Sequence, residues 1–172
     1  LWAALALARL SPSERKENGA DAALGKAVAF IRRSPIKDGG PAELALRVLL
    51  GLRTRDRSRA EELADILAAE QQSDGGWRQA PDLPSDAFAT GLAVYALVYV
   101  RPLDDAAIAR ALAFLSETQQ PDGTWLVRTR KAGNHDVVIS YCGTAVAALG
   151  MVEALSARTH VYGDEFVTPF EP

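Results

Sequence analysis

The segment Arg110–Trp125, RALAFLSETQQPDGTW, recurs in weakened form at Glu62–Trp77, ELADILAAEQQSDGGW, and again at Lys26–Pro41, KAVAFIRRSPIKDGGP. Aligned without gaps, the copies bring Asp38, Asp74 and Asp122 into register, then Gly39, Gly75 and Gly123, and end on Pro41, Trp77 and Trp125. They stand 36 and 48 residues apart, a period that belongs to repeat architectures in which each unit buries its apolar face on the next. Each copy is an amphipathic helix running into a Gly turn, so the unit to explain is a helical hairpin.

Around those copies the chain reads as helices throughout. Leu24, Ala27, Val28 and Ile31 have the i, i+3, i+4, i+7 spacing of a helix face and predict a helix over 20–33. Pro41 suits the first turn of the next, which runs to about Arg53. Ser58 with Glu61 forms a capping box for a helix ending near Gln71. Ser85 or Asp86 can cap a helix over 86–99, apolar nearly all round, and Asp104-Asp105 caps one over 106–119. The last helix, over 137–155, carries Gly143, Ala145, Ala147, Ala148 and Gly150. An apolar helix over 1–10 ends at Ser11-Pro12, and 11–19 is a polar link.

No segment alternates with period two over a convincing length. The expected fold is therefore all-α, with about seven helices in one repeat domain over 1–172. Its repeats span about 20–54, 57–100 and 104–156, and an irregular tail covers 157–172. One-sided helices (from Ala20, Ser58 and Asp104) alternate with uniformly apolar ones (from Pro41, Asp86 and Val137). A one-sided helix suits an outer position and an all-round apolar helix an inner one, which together build a toroid-like arc.

Charge narrows the partners. A formal net charge of −3 gives no electrostatic case for nucleic acid, and the Arg53–Arg59 run, interrupted by Asp56, reads as a solvated loop rather than a phosphate site. The apolar runs read as too short for a transmembrane segment, Gly91–Val100 stopping at Arg101. Cys142 reads as a buried small hydrophobe and leaves the compartment, cytoplasmic or periplasmic, open. The chain opens at Leu1 within an apolar helical pattern, which suggests a longer polypeptide or an assembly. A further protein segment or subunit is expected against that N-terminal helix.

The Arg110 segment resembles the QW motif of squalene–hopene and oxidosqualene cyclases at Arg110, Ala111, Phe114, Leu115, Gln119, Gly123 and Trp125. The second copy keeps Leu67, Gln71, Gly75 and Trp77; the first keeps Lys26, Ala27, Phe30, Ile31 and Gly39. The resemblance extends over about 20–156 and to prenyltransferase-type repeats. It implies an α/α barrel in which the Gln caps the next inner helix and the Trp packs across the turn between repeats.

It does not carry over the family's chemistry. The best-placed stretch for the DxDD acid of class II cyclases is Leu83-Pro84-Ser85-Asp86, where Asp86 reads as a helix cap before it reads as an acid; Asp104-Asp105 lacks the first Asp and precedes an outer helix. The Asp-x-Cys spacing of the prenyltransferase zinc site is missing at Cys142, where Ser140 stands two residues before, so no metal or other cofactor is expected. Asn134-His135-Asp136, ahead of the last inner helix, could act as a base or bind an anion; the same residues also make a cap. Weak catalytic candidates are thus His135, Asp136 and Asp86.

The expected function is a non-catalytic cyclase-like repeat domain binding an apolar, isoprenoid-like small molecule or a protein partner. One alternative is part of an active cyclase or prenyltransferase whose catalytic residues lie elsewhere. Another is a carbohydrate-active enzyme on an α/α barrel, for which no carboxylate pair stands out.

Overall fold

The structure, a computed structural model, describes residues 1–36, 40–129 and 135–160. The helices along them are α1 (Trp2–Arg9), α2 (Pro12–Glu17), α3 (Ala20–Arg33), α4 (Gly40–Arg53), α5 (Arg57–Ala69), α6 (Ala87–Leu97), α7 (Ala106–Thr118) and α8 (His135–His160). The fold is all-α, as expected. Asp38 and Gly39 of the first copy lie outside the described residues, as do Asn134 and 161–172 of the tail.

The helix beyond the expected seven is α2, in the stretch read as a polar link. Ser11 Oγ accepts from the Glu14 amide at 3.3 Å, and the Glu14 carboxylate accepts from the Ser11 amide at 2.7 Å. With Glu14 three residues on, Ser11-Pro12 starts a helix as well as ending one. The cap of α5 also moves. Asp56, rather than Ser58, accepts from the Arg59 amide, and α5 starts at Arg57.

The expected layering holds from α4 to α7. α6 lies between α4 and α8 in an inner layer, with α5 packed on α4 and α7 on α6. The outer helices bury one stripe each: Ala60, Leu63, Ala64 and Leu67 on α5, and Ala107, Ile108, Ala111, Phe114 and Leu115 on α7. Inner α4 is buried without a break from Leu44 to Gly51. Arg47 on α4 pairs with Glu43 and donates to Ile31 O at 2.8 Å and Ser34 O at 3.0 Å, tying the end of α3 to α4.

The tightest contact joins α6 to α8. A Cβ on Gly91 would lie 2.6 Å from Ala147 Cα, and one on Gly150 would lie 2.4 Å from Gly91 O. Glycine is needed at both places because backbone meets backbone. The uniformly buried inner helix expected over 137–155 is not found. One side of α8 buries Gly143, Ala147, Gly150 and Ala154, while Val138, Tyr141, Cys142, Leu149, Val152 and Leu155 are exposed. Cys142 is therefore not a core residue.

The expectation that apolar runs are too short for a bilayer also needs correction. Val138–Ala157 has the length and composition to cross one. Its small residues are those that let α8 sit against α6. Among the described residues the strands are β1 (Trp77–Arg78) and β2 (Ser85–Asp86), a two-residue antiparallel pair with Trp77 opposite Asp86. They link the turn of the second copy to the start of α6, where no strand was expected.

Candidate functional site

The repeat motif builds a joint, and the second and third copies build its turn and its tryptophan in the same way. Asp74 Oδ1 accepts from the Gly76 amide at 3.0 Å, and Asp122 Oδ1 accepts from the Thr124 amide at 3.0 Å. These are Asx turns, which explains the register of the acids. Gly75 and Gly123 follow in the left-handed region, at φ +87° and +84°. Gly75 is constrained twice, since a Cβ there would also lie 2.7 Å from Arg110 O. The chain then enters the core at the tryptophan. Trp77 Nε1 donates to Leu67 O at 2.7 Å, and Trp125 Nε1 donates to Leu115 O at 2.8 Å. Each indole thus closes onto the last turns of the outer helix that precedes it, and both are buried.

The next inner helix fixes the same tryptophans from the other side. The Trp77 amide donates to Thr90 Oγ1 at 2.9 Å, and the Trp125 amide donates to Thr144 Oγ1 at 3.0 Å. Thr90 and Thr144 escaped sequence reasoning because they lie at different depths in their helices, Thr90 in the first turn of α6 and Thr144 well inside α8. The two threonines stand 13 and 19 residues after their tryptophans, outside any gapless register.

The glutamine differs from its implied role. Gln71 does not cap the inner helix; its carboxamide Nε2 donates to Gly75 O and to Ala107 O of α7, both at 2.8 Å. Its Oε1 accepts from Arg110, with Nε at 3.0 Å. The Gln of one unit thus grips the basic residue of the next outer helix. Gln119 repeats only the local half, donating to Gly123 O at 2.9 Å. Phe114 is buried beside Trp125, whereas Phe30 of the degraded first copy is exposed.

The inner-helix starts are where catalytic candidates were expected. Asp86 is the N-cap of α6 and nearly fully buried. Its Oδ1 accepts from the Ala89 amide at 3.0 Å, and its Oδ2 accepts from Gln79 Nε2 at 3.1 Å. Burial raises its pKa above the usual carboxylate range, opposed by the hydrogen bonds from Ala89, Gln79 and Phe88. Both oxygens are occupied, Oδ1 by the start of α6 and Oδ2 by the Gln79 carboxamide. His135 and Asp136 open α8, and their side chains lie outside the described residues.

That raised pKa has a measurable sign. Folded Asp86 binds its proton more tightly than the unfolded chain does. Its contribution to stability is therefore full below the ordinary aspartate range and is lost as pH rises through the higher folded value. Asp86→Asn keeps an N-capping side chain without the buried charge. It is expected to match the parent near pH 3 and exceed it in melting temperature at pH 7. Asp86→Ala loses the cap and about 0.5–2 kcal/mol. Thermal melts of the three proteins across pH 3–7 check both outcomes.

Two further features line the inner layer. A cleft of about 520 Å³ beside the start of α4 is lined by Ile36, Pro41, Leu44 and Ile66, with Arg78 and Gln79 at its polar side. At the other end of α6, Tyr95 and Tyr99 stack edge to face with centroids 5.6 Å apart, and Tyr99 Oη donates to Glu153 of α8 at 2.6 Å. Partial burial and that carboxylate push the Tyr99 phenol up, keeping it neutral.

The family comparison falls on the same stretch of chain. The family model described as prenyltransferase alpha-alpha toroid domain matches residues 41–162, covering α4 to α8. A drimenyl diphosphate synthase of Streptomyces showdoensis is 40% identical over 112 residues, which is 64% of this chain and 20% of that protein. The chain thus spans about a fifth of the length of this curated relative. With the matched residues running through both complete joints and all three inner helices, the chain belongs to the prenyltransferase alpha-alpha toroid family.

Proposed function

We propose that this chain is a wall-building unit of an isoprenoid-handling toroid, holding an apolar chain without supplying the acid that would react with it. The observation that carries this reading is the state of Asp86. It is the acid nearest to where a protonating group would stand, and its oxygens are taken by the Ala89 amide at the start of α6 and by the Gln79 carboxamide. A general acid needs its proton free to reach substrate. The cleft beside Ile36, Pro41, Leu44 and Ile66 suits an apolar chain, with a volume inside the usual range for small-molecule sites.

A second reading is favoured by the comparison itself: a segment of an active cyclase whose chemistry resides in other parts of a longer polypeptide. In either case we assign a further helical hairpin, of the same or another chain, to the open edges of the arc. Trp2 is exposed at one edge and the apolar side of α8 at the other. Among the described residues no arginine meets Gln119 as Arg110 meets Gln71.

The test incubates the purified chain with a fluorescent fifteen-carbon isoprenoid alcohol and with squalene. Retention of the alcohol, lost in Ile66→Glu at unchanged melting temperature, is expected, with no cyclic product by mass spectrometry. Cyclic product that disappears in Asp86→Asn would overturn the non-catalytic reading.

A further inference from the structure

Helix α8 has two opposite sides. Toward α6 it is buried at Gly143, Ala147, Gly150 and Ala154. On the other side Val138, Tyr141, Ala145, Ala148, Val152 and Leu155 are all exposed. They stand alternately three and four residues apart, the spacing of a seam along which one helix packs on another. At the rise of an α-helix the seam is about 25 Å long. It carries no charge. Between Val138 and Ala157 the one acidic or basic residue is Glu153, which accepts from Tyr99 Oη of α6 at 2.6 Å and so turns away from the seam. A contiguous row of exposed apolar residues of this length marks an interaction surface.

The order of residues along the seam says what covers it. Val138 and Tyr141 are followed by Ala145 and Ala148, then by Val152 and Leu155, so the row reads large, small, large from either end. A two-fold axis midway between Ala145 and Ala148 maps the row onto itself with the helices antiparallel. Ala145 then faces the partner's Ala148, Tyr141 faces the partner's Val152, and Val138 faces the partner's Leu155. Helices that cross at an angle are closest at the crossing point, which is where the alanines stand. An interface between two identical chains about a two-fold axis needs a patch that complements itself in this way.

A lipid surface makes no such demand. A helix lying in a membrane interface gains from large apolar side chains along the middle of its buried face and from Lys or Arg beside it. Here the middle is alanine, and no Lys or Arg lies between Val138 and Ala157. We propose that the free side of α8 is a homodimer interface, covered by α8 of a second copy of this chain in antiparallel pairing about Ala145 and Ala148. This commits the α8 edge of the arc to one cover. It does not rest on the apolar-ligand reading, whose cleft lies beside the start of α4.

Sedimentation equilibrium of the whole chain over a range of protein concentrations tests it. A monomer–dimer equilibrium is expected. Ala145→Glu should weaken it about a hundredfold, because the carboxylate would be buried against alanine without a partner. Ala145 is exposed in the single chain, so the melting temperature of the variant at monomeric concentration should match the parent's. Cross-linking reads the orientation. In a Cys142→Ser background, Val138→Cys and Leu155→Cys chains should form an intersubunit disulfide when mixed and none when oxidised separately. A monomer at every concentration, or a dimer indifferent to Ala145→Glu, overturns the proposal. Disulfide formation by Val138→Cys chains alone means parallel helices and overturns it too. Co-sedimentation of a monomer with phosphatidylcholine vesicles, abolished by Ala145→Glu, assigns the face to lipid instead. Retention of the isoprenoid alcohol should be the same in Ala145→Glu and parent, so failure of the dimer leaves the ligand reading standing.

Discussion

Trp77→Ala is expected to cost about 3–5 kcal/mol, the usual range for deleting a buried large aromatic. Trp77 is fully buried in the main core cluster, with Leu44 of α4 and Leu63 and Leu67 of α5 in the same cluster. Truncation opens a cavity between an outer and an inner helix, and Leu67 O loses the indole N–H it accepts at 2.7 Å. Against a total of about 5–15 kcal/mol for a domain of ordinary stability, this is a large fraction. Trp77→Phe keeps most of the volume and forfeits the hydrogen bond, so it should fall between, at about 1–3 kcal/mol. Urea unfolding followed by circular dichroism measures both. A Trp77→Ala midpoint equal to that of the parent would mean that the indole does not join the layers.

Gly150→Ala is expected to unseat α8. The added methyl would lie 2.4 Å from Gly91 O, and since Gly91 O belongs to backbone, no side-chain rotation relieves the clash. Overpacking of this kind costs about 1–3 kcal/mol, and here it falls on the most extensive helix–helix contact among the described residues. The damage should be local in character. Chymotrypsin should cut at exposed Tyr141 earlier than in the parent, while α4 to α7 retain their helicity. Gly143→Ala is the control. Its methyl would meet Val127 Cγ2, also at 2.4 Å, but Val127 is a buried side chain outside α6, so the overlap leaves the α6–α8 backbone contact itself untouched. Equal proteolysis of the Gly150→Ala and parent proteins would show that the α6–α8 contact is looser than described.

The fold was legible because periodicity and turn chemistry agreed. The stripe on α7, the cap at Asp105 and the Asp-Gly turns were all present as local signals, and the structure realises each of them. What was not legible depended on neighbours. The Ser11-Pro12 pair reads equally as stop and start until Glu14 is weighed. Cys142 looked internal because the last helix reads as largely apolar, yet burial requires a second partner, and only the α6 side has one among the described residues. At the candidate site, Asp86 was visible as a cap, but Gln79, 7 residues upstream and bonded to its second oxygen, belongs to no motif. The grip of Gln71 on Arg110 spans 39 residues and joins two copies, so aligning the copies one beneath another concealed it.

The central claim is that each tryptophan is a joint between stacked hairpins rather than the lining of a ligand cavity. Hydrogen exchange of the two indole N–H groups, followed by NMR, measures this directly. Trp77 Nε1 and Trp125 Nε1 are bonded to Leu67 O and Leu115 O inside the layers. Their protons should exchange only through large-scale opening, far more slowly than that of exposed Trp2. Exchange of Trp77 and Trp125 at the rate of Trp2 would contradict the account.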